Sequence, residues 1–285
     1  PMRVAVVTGD DLIASDMTGD LQDEAGAPLR LENVISANAY LGAAPLVEAL
    51  AAGADIVVTG RVADPSLALA PFVYHHGWAM DDLALMASGT LAGHLLECGA
   101  QVSGGYYADP GFKDVPDSHN IGFPIVAMQP DGRFTIGKAD DTGGLVDRHT
   151  VTEQILYEIH DPARYLTPDV VLDVSRVELS EKAPNEEAVS GAAGHPRPDR
   201  RKVTVGHDGG WLGEGEISYA GPNAVARARL ALEVVRRRLG PEMQIRGDII
   251  GLGSVFNDDN GIWLQQQVGA ATDLRVRVAV SAASK

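Results

Sequence analysis

Cysteine is almost missing here: Cys98 is the only one in 285 residues. No internal disulfide and no thiolate metal cluster can form, and a reducing compartment, the cytoplasm, is the expected location. Basic residues are also scarce. The 23 Lys and Arg face 39 Asp and Glu, a formal charge of −16 with no local basic stripe to offset it. Such a chain repels phosphate backbones, which argues against nucleic acid as a partner. No apolar run is long enough to cross a bilayer, and the first residues do not read as a secretory signal. Nucleotide fingerprints are missing too: neither G-x-x-x-x-G-K-[ST] nor G-x-G-x-x-G occurs, so redox chemistry with a nucleotide cofactor is disfavoured. There is no G-x-S-x-G elbow, and the histidines and the Asp258-Asp259 pair show neither zinc nor calcium spacing.

What the chain does hold is one phrase written twice. Val6-Val7-Thr8-Gly9-Asp10-Asp11 returns as Val57-Val58-Thr59-Gly60-Arg61-Val62-Ala63-Asp64. Each copy closes a short β-branched run, so each reads as a buried strand ending in a tight glycine turn. In open α/β sheets ligands sit at the carboxyl ends of the strands. The two turns are therefore the best pointer to a site.

Pro45 suits the first turn of a short helix ending at Gly53, and Pro65 opens a second. A third starts at Asp81 or Asp82 and stops at Gly99. Strand, helix, strand, helix in this tempo predicts parallel βαβ units. Phe123–Met128 and Arg133–Ile136 flank a turn-rich Gln129-Pro130-Asp131-Gly132, which predicts a hairpin. Thr150-x-x-Glu153 matches a capping box for a helix from Thr150 to His160. Beyond Pro168 strands dominate, interrupted by one helix between Pro222 and Gly240. The expected fold class is α/β. A parallel βαβ part over 1–165 carries the ligand, and an α+β part with antiparallel strands follows over 166–285. Both chain ends run close to apolar strands, so a piece of a longer protein is expected.

The candidate residues follow from those loops. Thr8, Asp10 and Asp11 in the first turn offer oxygens to orient a ligand or hold a divalent cation through water. In the second, Thr59, Gly60 and Arg61 can take an anion, Arg61 clamping a carboxylate or phosphate bidentately while Asp64 sets its direction. Lys113, between Asp109 and Asp114, is a candidate anion holder. Asp141, Thr142, Gly143 and Gly144 form a polar loop whose amides could approach an anion. His207 stands beside Asp208 as a candidate base, although neighbours along a strand point to opposite faces. Glu214 and Glu216 share a face. Each has a plainer reading as a cap, a turn or a solvated strand face. Cys98 reads as packing.

At these same stretches the chain resembles the acyclic terpene utilisation protein A (AtuA-like) family. The matching phrases are Val6–Asp11, Asp55–Ser66, Ala108–Pro116, Asp140–Val146 with Thr150–Pro168, and Lys202–Gly221. The resemblance implies further residues before the first strand and a continuation past Lys285 towards a small ferredoxin-like domain. It also implies a setting among acyl-CoA carboxylation and branched acyl-chain breakdown. It assigns no catalytic residues.

The function expected is an enzyme of branched-chain or acyclic terpenoid catabolism acting on a small carboxylate or acyl-CoA by polar acid–base chemistry. Asp64, Asp141 and His207 are its candidate catalytic groups, and a homo-oligomer is the expected assembly. The rival is a non-catalytic, ligand-binding partner of an acyl-CoA carboxylase pathway. An enzyme predicts a deep pocket with Arg61 pointing into it. A partner predicts a shallow site and a broad exposed apolar patch.

Overall fold

The repeated phrase forms two strands that lie side by side. In the computed structural model, which describes residues 1–15, 21–23, 25–29, 32–241 and 243–282, β1 (Val4–Val7) pairs in parallel with a strand over Ile56–Thr59. Register runs from Val4 opposite Ile56 to Val7 opposite Thr59, so the two glycine turns emerge together at the carboxyl edge. The chain divides into two compact units, Pro1–Gly206 and His207–Lys285.

In the first unit β2 (Val34–Ala39) comes next in the chain, then α1 (Ala44–Ala51) and β3, the Ile56–Thr59 strand. Pro45 sits in the first turn of α1, as its fixed φ favours. The helix lays Leu46 and Val47 against Val7 and Val57. The opposite face of the pair is left uncovered. Val4, Val6, Ile56 and Val58 there are 58, 68, 43 and 52% exposed. Parallel strands are ordinarily buried on both faces.

Helix α2 (Ser66–His76) follows Pro65, and α3 (Leu83–Glu97) is capped by Asp82, which accepts the Ala84 and Leu85 amides. Next come the hairpin β4 (Pro124–Met128) and β5 (Phe134–Lys138), then α4 (Arg148–Leu156). Strands β6 (Tyr165–Leu166), β7 (Val171–Asp173), β8 (Glu178–Ala183), β9 (Glu186–Ser190), β10 (Ala193–His195) and β11 (Val203–His207) complete it. They build an antiparallel sheet β4-β5-β9-β8, a small sheet β10-β7-β6, and the pair β11-β2. Leu91 and Leu95 of α3, Ile136 of β5, Val151 of α4 and Leu172 of β7 share one buried cluster. That shared core holds residues 166–206 to the first unit, so the compact units divide after Gly206 and not at the expected 165/166.

The second unit is one antiparallel sheet backed by a helix. Strand β12 (Trp211–Ala220), α5 (Ala224–Leu239), β13 (Gln244–Ile250), α6 (Ile262–Gln266) and β14 (Asp273–Ala282) give the order β12-β14-β13. Ala228 and Leu232 of α5 pack on Ile249, Val276 and Val278. The α/β reading, parallel first and antiparallel later, holds.

The capping box sits one turn earlier than expected. Asp147 is the cap, accepting the His149 and Thr150 amides, while the Thr150 hydroxyl takes the Asp147 amide hydrogen. Glu153 is thereby released for other contacts.

Candidate functional site

Asp10 is buried and joins three segments. Its Oδ2 accepts the Arg61 amide hydrogen at 2.8 Å and the Asn38 side-chain amide at 2.9 Å, while its carbonyl accepts the Ala39 amide. These donors, the Arg61 amide foremost, hold its carboxyl below the ordinary carboxylate value. A Cβ on Gly60 would run into the same carboxylate, so only glycine lets the two turns approach this closely. Asp10 is thus a brace between the turns. Asp11 is exposed and accepts the Ile13 and Ala14 amides, each at 3.0 Å, in a turn of its own. Among the described residues, no three His, Cys, Asp or Glu side chains are grouped to hold a metal ion.

With its amide fixed, Arg61 extends its side chain over Tyr40, the guanidinium carbon 5.2 Å from the ring centroid. Lys202 lies over the same ring, its Nζ 5.0 Å away. The Tyr40 hydroxyl accepts from Thr204 at 3.2 Å, and the Tyr40 amide donates to the Lys202 carbonyl at 2.9 Å. Neither cation forms an ion pair with a described carboxylate. In a chain of formal charge −16 that is a notable reserve of positive charge. Tyr40, Asn38 and Lys202 were not singled out by sequence, because β2 and β11 bring them there from distant positions.

Thr8 is exposed beyond β1. The Thr59 hydroxyl is buried at the end of β3 with no hydrogen-bond partner among the described residues. Asp64 is exposed just ahead of Pro65, its carbonyl accepting the Leu67 amide. Its charge reaches Glu97 at the end of α3, whose carboxyl burial pushes up and Asp64 pushes further. Glu97 Oε1 meets His94 Nδ1 at 2.8 Å, and His94 Nε2 faces the Ile155 carbonyl at 3.2 Å. The Tyr165 ring lies 5.3 Å from the His94 ring, and burial pushes its hydroxyl far up. The signal for this cluster was the spacing His94-x-x-Glu97, which shares one helix face. Cys98 ends α3 half-buried, and burial raises its thiol, which suits packing.

The remaining candidates stand elsewhere in the fold. Lys113 pairs with Glu153 at 3.3 Å and lies over Tyr107, tying its turn to α4. Asp141 is in a left-handed turn, and the Thr142 hydroxyl bonds back to the Ala139 carbonyl. The Gly143 amide donates to Asn120 and the Gly144 amide to Pro116, so neither is left for an anion. His207 ends β11, and Asp208 turns to accept the Gly210 amide. Glu214 and Glu216 do share a face, but they pair with Arg277 and Arg275.

A model of the acyclic terpene utilisation family protein AtuA matches residues 1–285, the whole chain. The chain belongs to this family. No curated protein and no solved structure matches it. Membership in the AtuA family places the protein in acyclic terpene utilisation without naming a reaction. Among the described residues of this AtuA family member, no helix is long and apolar enough to cross a membrane.

Proposed function

We propose that the protein binds an anionic acyl intermediate of acyclic terpene utilisation, a branched carboxylate or its coenzyme A thioester, at the carboxyl ends of β1 and β3. The convergence of Arg61 and Lys202 on Tyr40, with no carboxylate of their own, carries this reading. Cations held over an aromatic ring are pre-positioned, and the arginine fork then matches a carboxylate or phosphate. Asp10 fixes the main chain from which Arg61 projects. Asp64, at the same edge, is the candidate acid or base for hydration, hydrolysis or carbon–carbon cleavage.

A second reading has an observation of its own. Arg61 is exposed on the surface of the ring, and the face carrying Val4, Val6, Ile56 and Val58 is open. Both features suit a ligand-binding subunit whose apolar face meets a partner in an acyl-CoA carboxylase pathway.

The test is thermal stabilisation by branched carboxylates and acyl-CoA thioesters, since a ligand selective for the native state raises its stability. Arg61→Ala should abolish the ligand-induced shift while moving the ligand-free midpoint little, as for an exposed side chain. A large loss of ligand-free stability would make Arg61 structural and end the proposal. Turnover of the stabilising ligand, lost in Asp64→Asn, would select the enzyme over the binding subunit.

A further inference from the structure

We infer that a cavity next to this surface, lined by Arg197 and Arg201, is a binding site for a small organic monocarboxylate with an apolar body. The cavity measures about 630 Å³. It lies between the start of α1, the α2–α3 turn, the β6–β7 turn and the segment after β10. Volumes of roughly 300–1,000 Å³, mostly apolar with a few placed polar groups, are typical of small-molecule sites. Here Leu41, Met80 and Leu83 supply apolar wall, and Pro45, Pro168 and Pro196 supply rigid wall. A wall built this way is formed before the ligand arrives, which lowers the ordering cost of binding.

The charges decide what fits. Four charged side chains line the cavity: Arg197, Arg201, Asp81 and Asp169. Asp169 is already committed. Its Oδ1 accepts the Ala43 amide at 2.8 Å and its Oδ2 the Ser66 hydroxyl at 2.5 Å. It therefore serves the first turns of α1 and α2, whose dipoles favour an anion there. Gly42 is the residue that allows this seat, because a Cβ would collide with Asp169 Oδ1. Asp81 is exposed, ahead of the cap of α3. Arg197 and Arg201 form no ion pair with a described carboxylate. With Asp169 spent on its donors and Asp81 out in solvent, the two guanidiniums are left to meet one negative charge, while the nearby carboxylates resist a dianion. A carboxylate on an apolar body meets both conditions, and a phosphate meets neither as well.

Neither Arg61, Tyr40 nor Lys202 lines this cavity, and the inference does not rest on the function proposed for them. The experiment is calorimetric titration of the full chain with octanoate, set against octanol and inorganic phosphate. Octanoate should bind, with octanol and phosphate far weaker. Arg197→Gln/Arg201→Gln should weaken octanoate about tenfold or more. Met80→Trp, which fills the cavity from a partly exposed position, should do the same without touching a charge. No octanoate binding, unchanged affinity in both cavity variants, or displacement of octanoate by equimolar phosphate would each overturn the inference.

Discussion

Asp10 and Arg61 are joined through the main chain and not by an ion pair: Asp10 Oδ2 takes the Arg61 amide hydrogen at 2.8 Å. The carboxylate spends itself on holding the two turns together, which leaves the guanidinium to face outward. Its depressed carboxyl sets the sign of a pH effect. A group with a lowered folded value contributes stability above its ordinary value of 3.8, and that contribution is lost as pH falls through the lower folded value. Asp10→Asn should lower stability by about 1–3 kcal/mol near neutral pH. Its acid-unfolding limb should also be shallower than that of the native protein as pH falls below the ordinary carboxylate value of 3.8. Urea midpoints over that range provide the check, and equal acid limbs would remove Asp10 as the brace.

Gly60→Ala places a methyl group against that same carboxylate. The turn must open or Asp10 must leave its donors, at a cost of about 1–3 kcal/mol. The coupling can be read directly. In Asp10→Ala/Gly60→Ala the obstacle is gone, so the double variant should be less destabilised than the sum of the singles. Strict additivity would mean that Gly60 is required for some other reason.

Much of this geometry was legible because it is local. The repeated phrase holds both strands, both turns and the Asp10, Gly60 and Arg61 that meet there. The parts that were missed are small, polar or distant in sequence. Ser36, Ala37, Asn38 and Ala39 are too small and polar to announce a strand, yet they belong to β2, which pairs with β11. Glu186–Ser190 is too polar to read as a strand but is held between β5 and β8. Tyr40 and Lys202 meet, and Arg197 and Arg201 reach their cavity, only once β2 and the segment after β10 are placed. The cap of α4 was misread by one turn because Asp147 and Thr150 are both good caps, and the box they form with each other won.

Asp248 anchors the second unit. It is 3% exposed and accepts from the Asn257 side chain at 2.7 Å, Arg246 at 3.2 Å and Arg277 at 3.4 Å. Removing one partner of a buried ionic group strands the others. Asp248→Ala should therefore destabilise this unit by about 3–5 kcal/mol. Trp263 reports on the unit through its fluorescence, and Trp78 lies in the first. The Trp263 transition should move to lower urea, and an unmoved midpoint would contradict the anchoring role.

His94 and Glu97 yield a prediction of opposite sign to that for Asp10. The Ile155 carbonyl can only accept, so His94 Nε2 carries a hydrogen, and Nδ1 and Glu97 Oε1 share one more proton between them. Burial pushes the Glu97 carboxyl up, His94 opposes, and the charges of Asp64 and Glu158 add to the rise. A group whose folded value is raised contributes its stability below the ordinary value, here 4.5, and loses it as pH climbs through the folded value. Native stability should therefore fall as pH rises above about 4.5. Glu97→Gln keeps a donor towards Nδ1 but cannot ionise, so its stability should be flatter over the same interval. Denaturant midpoints measured in steps from acid to neutral pH compare the two slopes. Equal slopes would mean that Glu97 ionises in the fold as readily as in water, with His94 fully compensating its burial.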